Sequence, residues 1–161
     1  MIIRKTTTED LPAVMDLYRA AQARMEAAGN PQWPKGWPEE WKVREDIDRG
    51  FGHVLLEGDT IVGAFALALG EEPTYAVIDG AWLNDAPYGT LHRVAGDGEH
   101  RGIMQAALAY CERVIPNMRV DTHATNADMQ HVLEKNGYVR CGTIYVEDGT
   151  PRIAYQKEYV L

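Results

Sequence analysis

Leu11, Val14, Met15, Tyr18, Gln22 and Met25 recur at the spacing of three and four that lines one face of a helix. Thr8, followed by Glu9-Asp10-Leu11-Pro12, gives that helix a start with acids and a proline in its first turn; Gly29-Asn30 ends it just past Ala28. Ahead of it, Ile2 and Ile3 open a short strand. Residues 30–38 hold three prolines, which rules out regular structure, yet Trp33 and Trp37 make the stretch a poor solvated linker. A second helix is expected over 39–48.

Beyond residue 50 the pattern changes to paired strands, 52–57 and 60–69, hinged on Gly58-Asp59. Further strands are expected over 74–83 and 88–95. Gly96-Asp97-Gly98 breaks the last of these, and a helix follows over 102–114 with Ile103, Ala107, Tyr110, Cys111 and Val114 on one face. Then come a strand over 118–123 and a short helix over 126–135 that turns Met129, Val132 and Leu133 inward and stops at Asn136-Gly137. Two closing strands, 138–146 and 153–159, are joined by a turn at 147–151. The order β-α-α-β-β-β-β-α-β-α-β-β predicts a mixed sheet with helices, an α/β (α+β) fold rather than a doubly wound one, in a single domain over 1–161.

Composition narrows the functional classes. A chain of 161 residues can bury roughly two-thirds of its unfolded surface in one core. No stretch approaches the ~20 apolar residues that span a bilayer, and the first apolar run is too short for a signal-peptide core. Cys111 and Cys141 lie in no ligand or disulfide pattern, so free thiols in a cytoplasmic protein are expected. The net charge of -8 argues against nucleic-acid binding and favours cationic over anionic substrates. The chain has no serine, which excludes every serine-nucleophile hydrolase mechanism. Its five histidines are dispersed without metal-ligand spacing, so no metal is expected.

Residues 88–104 carry the chemistry. A strand runs through a glycine-rich turn into the N-terminus of an amphipathic helix, where unpaired N–H groups and the helix dipole favour an anion. Arg93, His100 and Arg101 add positive charge to an otherwise acidic chain, and a pyrophosphate is a natural occupant. The Walker loop is excluded because Arg101-Gly102 is followed by Ile103; the dinucleotide fingerprint is excluded because Arg101 stands where its third glycine belongs. Glycines serving backbone geometry alone remain an alternative.

With the run Asp121 to Gly142, in which Asn126 opens a helix and Glu134-Lys135-Asn136-Gly137-Tyr138 closes it, the chain resembles the GNAT acetyltransferase family over nearly its whole length. That family's loop reads Gln/Arg-x-x-Gly-x-Gly/Ala. Setting its first glycine at Gly102 puts Glu99 at the Gln/Arg position and Met104 at the small-residue position; a literal match at Arg93 to Gly98 would bury the loop in the strand. The resemblance implies a GNAT-like acyl-CoA N-acyltransferase fold and transfer of acetyl from acetyl-CoA directly to a primary amine of a small molecule or peptide. A catalytically silent acyl-CoA-binding module on the same fold is the alternative.

By position, the resemblance gives the thioester carbonyl to backbone N–H groups around Val94 and the pantetheine arm to Val94 and Ala95. It gives the phosphates to Gly98, His100, Arg101, Gly102 and Ile103, counts Met104 with the coenzyme site, and sets Asn126 against the pantetheine or its amides. The tyrosine that serves many relatives as general acid is Leu133 here; Tyr138 and Tyr145 are substitutes or core residues. His123, at the end of the fifth family strand, is the first candidate base or a strand-ordering residue, and His92 is the second. Asp121 orients a neighbour or ends a strand. On the acceptor side Trp33, Trp37 and Trp41 form an aromatic wall suited to a cation or fill the core. The acidic run from Glu71-Glu72 through Asp79 to Asp85 supplies countercharge or is a solvated hairpin. Homodimers are common in the family.

Overall fold

The computed structural model describes residues 1–158, so Tyr159, the last residue of the expected closing strand, lies outside the described residues. The elements are β1 (Ile2–Lys5), α1 (Leu11–Ala27), α2 (Glu40–Asp48), β2 (Gly52–Glu57), β3 (Thr60–Leu69), β4 (Asp79–Gly80), β5 (Gly89–Gly96), α3 (Ile103–Val114), β6 (Asn117–Thr122), α4 (Ala127–Lys135), β7 (Val139–Tyr145) and β8 (Pro151–Glu158). They build one mixed sheet in the order β1-β2-β3-β5-β6-β8-β7-β4. Every neighbouring pair is antiparallel except β5 and β6.

Alternation along the central strands loads both faces. Leu55, Phe65, Leu67, Leu91, Met118 and Val120 pack with Ile103, Ala107, Leu108 and Leu133 under α3 and α4. Val54, Leu56, Ala64 and Ala95 pack on the other face against Leu11, Val14, Tyr18 and Val43 of α1 and α2. A start for α1 is built by Asp10, which accepts the Thr7 N–H at 2.7 Å and holds Arg4 in a two-bonded ion pair at 2.7 and 3.0 Å.

The strand expected over 74–83 is a correction. Pro73–Tyr75 form a 3-10 turn, and only Asp79 and Gly80 pair, with Thr143 and Gly142 at the far edge of the sheet. The apolar residues of the segment pack as side chains instead of forming a ladder: Tyr75, Ile78 and Trp82 join Tyr88, Ile144 and Ala154 in a third cluster. β3 therefore pairs directly with β5, and residues 70–88 cross one face of the sheet as a loop.

Candidate active site

The parallel pair β5–β6 is joined only at Gly89–Met118 and Thr90–Arg119, although both strands continue beyond these points. They splay apart from there. Just past the last pair, β5 carries a bulge in which Arg93 and Val94 oppose Phe65, between the pairs Ala66–His92 and Ala64–Ala95. A bulge takes its extra residue out of the ladder and bends the strand. Arg93 is the one non-glycine residue with positive φ, 50°, among the described residues.

Three bonds hold that strained residue, a conformation that costs of order 1–3 kcal/mol. The Arg93 guanidinium donates from Nε and Nη2 to the two carboxylate oxygens of Asp46 on α2, both at 2.8 Å. The buried Tyr18 hydroxyl donates to the Arg93 carbonyl at 2.7 Å, and burial pushes that phenol well above its ordinary range. Helices α1 and α2 thus lock the bend in β5.

A cavity of about 980 Å³ passes through the splay from one face of the sheet to the other. Leu91, Met104, Met129 and Val132 line it on the α3–α4 side; Trp33, Trp37, Phe51, Glu72 and His92 line it on the other. On the first side, β5 leads into the glycine turn and α3. Gly98 has φ 81°, and a Cβ there would stand 3.1 Å from the Arg24 guanidinium, which itself donates to the Gly96 carbonyl at 2.5 Å. Gly102 is the N-cap of α3 with φ 78° and no side-chain cap, so the first N–H groups of the helix have no intrahelical acceptor. The helix opens at Ile103, in keeping with the family register set at Gly102. Two loop amides are already occupied: Asp97 accepts the N–H groups of Glu99 and His100 at 2.9 Å each, and these bonds, the His100 N–H foremost, bring its carboxyl down to about 2. The Glu99 side chain is exposed to solvent.

On the other side, alternation beyond the Thr90–Arg119 pair puts His92 and Asp121 on one face, across the splay from each other. Each has a partner. Glu72 Oε2 lies 3.1 Å from His92 Nε2, while Glu72 Oε1 accepts the Thr74 hydroxyl at 3.1 Å. The bond from His92, with help from Thr74, outweighs burial and lowers the Glu72 carboxyl to about 2. The fully buried Tyr75 hydroxyl donates to Asp121 Oδ1 at 2.5 Å; burial, then the Asp121 charge, push that phenol well above its ordinary value.

The loop between α1 and α2 closes over the splay. Gln32 Oε1 accepts from Thr122 Oγ1, the His123 N–H and Asn126 Nδ2 at 3.1 to 3.2 Å, pinning the loop to the end of β6. Asn126 in turn caps α4 by accepting the Met129 N–H at 3.2 Å.

The sequence-derived residues divide accordingly. Val94, Ala95, Met104, Asn126, His92, Trp33, Trp37 and Trp41 all line the cavity. Gly98, His100, Arg101, Gly102 and Ile103 do not line it; they form the turn and helix start between two residues that do, Gly96 and Met104. His123 does not line it; its Nδ1 accepts the Thr125 N–H at 3.1 Å, and burial lowers its pKa below the usual 6.5. Asp79 sits exposed on β4, across the sheet from the splay, because it belongs to the edge pairing with β7. Trp33 is both wall and core: it is buried and meets Tyr18 edge-on at 5.7 Å, whereas Trp41 is 55% exposed. Leu133 is completely buried in the core and Tyr138 is buried with it, but Tyr145 is exposed, which corrects its reading as a core residue. Sequence reasoning missed Tyr75, Gln32, Asp46 and the individual role of Glu72. Only Glu72 carried a signal, as part of the acidic run.

Residues 12–138 match the family model for the acetyltransferase (GNAT) family, and the chain belongs to that family. A GNAT-family acetyltransferase from Streptococcus agalactiae is 33% identical, covers 99% of this chain and 96% of its own, and superposes with a TM-score of 0.91. The fold is shared with the ribosomal-protein-S18-alanine N-acetyltransferase of Escherichia coli, at 18% identity over 99% of this chain and 96% of that one, TM-score 0.66. It is shared likewise with an aminoglycoside 6'-acetyltransferase type Ii, at 17% identity over 100% and 99% of the two chains, TM-score 0.65. No curated protein sequence matches the chain.

Proposed function

We propose that the chain is an N-acetyltransferase that moves acetyl from acetyl-CoA directly to a primary amine, the whole of residues 1–161 acting as one catalytic domain. One observation carries this reading: a single cavity runs from Gly96 and Met104, which flank the glycine turn, past the bulge at Arg93 and Val94, to a polar pocket on the opposite face.

The coenzyme phosphates rest on the turn and helix start, Gly98 to Met104, with His100 and Arg101 beside them. Because Asp97 occupies the amides of Glu99 and His100, the anion depends on the N–H groups at the start of α3. Pantetheine lies along Val94 and Ala95 in the splay, with Asn126 beside it. Bulge N–H groups around Val94 polarise the thioester carbonyl and stabilise the oxyanion that forms on attack.

The acceptor enters from the side walled by Trp33, Trp37 and Trp41. Between the two histidine candidates, the cavity favours His92 as base over His123, since His92 lines it and His123 is turned to Thr125. Among the described residues no tyrosine lines the cavity, and the thiolate is a weak enough base to leave without such an acid. The acceptor is a small molecule or a peptide amine, not a nucleic acid, and the protein works in the cytoplasm without a metal, as a monomer or homodimer. Two features favour a second reading, a silent acyl-CoA-binding module: the buried Leu133 and the Asp97 carboxylate on the phosphate turn.

Calorimetric titration with acetyl-CoA, followed by thiol release against a panel of primary amines, tests both readings. Binding with turnover is expected. Binding without turnover on any amine would favour the silent module, and absence of binding would sink both.

A further inference from the structure

A carboxylate only accepts hydrogen bonds, so the ring nitrogen that faces it must carry a proton. Glu72 is such a partner for His92. Its carboxyl, lowered to about 2, is ionised at every pH where the protein would work. Its direction is fixed at both ends: Thr74 donates its hydroxyl to Oε1, and the Glu72 N–H donates to the Tyr88 hydroxyl at 2.8 Å. The ring atom 3.1 Å from Glu72 Oε2 is Nε2, which leaves Nδ1 as the only atom of the neutral ring with a free lone pair. The ring is mostly enclosed, with 22% of its side chain exposed, and it borders the cavity opposite Asp121.

We propose that Glu72 is a positioning residue that holds His92 with the proton on Nε2, so that Nδ1 takes the proton from the acceptor ammonium on the cavity side. The inference rests on the acetyl-transfer reading above and assigns its base to one atom. A primary ammonium between His92 and Asp121 gives one proton to Nδ1. The freed nitrogen pair attacks the thioester carbon, the carbonyl pair moves to oxygen, and its return expels the coenzyme sulfur with the C–S electron pair. The second proton on the acetylated nitrogen goes to that thiolate, and the imidazolium returns its own proton to solvent. The balance is one ammonium and one thioester in, one amide, one thiol and one proton out. Glu72 never bonds the reacting atoms. Asp121, anchored by Tyr75, is the second acceptor that faces the ammonium.

Nitrogen NMR of the histidine rings, with His92 assigned by its loss in His92→Gln, tests the tautomer on the unliganded protein. Wild type is expected to hold the neutral His92 ring with Nε2 protonated, and Glu72→Ala to give a mixture of tautomers. Glu72→Gln keeps the side-chain volume and an acceptor oxygen, so it controls for collapse of the turn at 73–75 and should fall between the two. Thiol release, with whichever primary amine of the panel is turned over, tests the base. Glu72→Ala should lower kcat about 100-fold at unchanged KM for acetyl-CoA. The double variant with His92→Gln should be no slower than His92→Gln alone. A neutral ring protonated on Nδ1, tautomer populations unmoved in Glu72→Ala, or losses that multiply in the double variant would overturn the proposal. Failure of every amine would overturn the acetyl-transfer reading instead, while the tautomer measurement stands by itself.

Discussion

The Arg93 guanidinium reaches from the β5 bulge to α2 and is held by both carboxylate oxygens of Asp46, with 10% and 6% of the two side chains exposed. Breaking such a pair from one side leaves a charge buried without compensation, which costs about 3–5 kcal/mol. Asp46→Asn is therefore expected to lower unfolding stability by that order in urea titration. The loss should appear with little change in the denaturant slope.

Tyr18 acts on the same bend through its hydroxyl. Tyr18→Phe removes the side-chain bond to the Arg93 carbonyl and keeps the ring that packs on Trp33. A stability loss of about 1 kcal/mol is expected from the hydrogen bond alone. If the bend at Arg93 supports the thioester, kcat falls further than this stability change would require, which steady-state kinetics at saturating acetyl-CoA would register.

Gly98 joins two constraints, a φ of 81° and the Arg24 side chain 3.1 Å from where a Cβ would be. Gly98→Ala should shift the turn and weaken acetyl-CoA binding by roughly tenfold, equal to about 1.4 kcal/mol of strain. Calorimetry reads this directly, and an unchanged Kd would remove the turn from the coenzyme site.

Acid stability follows from the lowered carboxyls. Asp10 is brought to about 2 chiefly by Arg4, from an ordinary 3.8, and Glu72 to about 2 chiefly by His92, from an ordinary 4.5. Both are depressed in the folded state, so their stabilisation is complete above the ordinary values and is lost as the pH falls toward 2. Stability should decline between about pH 5 and 2, and Arg4→Ala should flatten the lower part of that decline in urea titrations run across the range.

The two histidines separate kinetically. His92→Gln is expected to lower kcat at least 100-fold, in line with loss of a general base. His123→Ala should leave turnover within a few-fold, since its ring lies outside the cavity and is occupied by Thr125. Any titration of His123 falls below 6.5, because burial lowers it. An acid limb near neutral pH that vanished in His123→Ala would reverse the assignment.

Much of this molecule could be read along the chain because its cause is local. Period and punctuation determine the helix over 11–27, the hairpin about Gly58-Asp59, and the glycine turn that opens α3, since each depends on residues a few positions apart. The 74–83 segment failed that reading: alternating apolar residues look like a strand, but Tyr75 and Trp82 joined a cluster with Ile144 of β7 and Ala154 of β8, far along the chain. The site divides in the same way. Val94, Gly102, His92 and Asn126 were found through strand order and a family pattern. The partners that give them direction were hidden, because Glu72 meets His92 across 20 positions, Asp46 meets Arg93 across 47 and Gln32 meets Asn126 across 94. Sequence determined which groups are available and on which elements they ride. Only the packed sheet, by splaying β5 from β6 and folding α1, α2 and the 70–88 loop against the gap, decided which of those groups face one another.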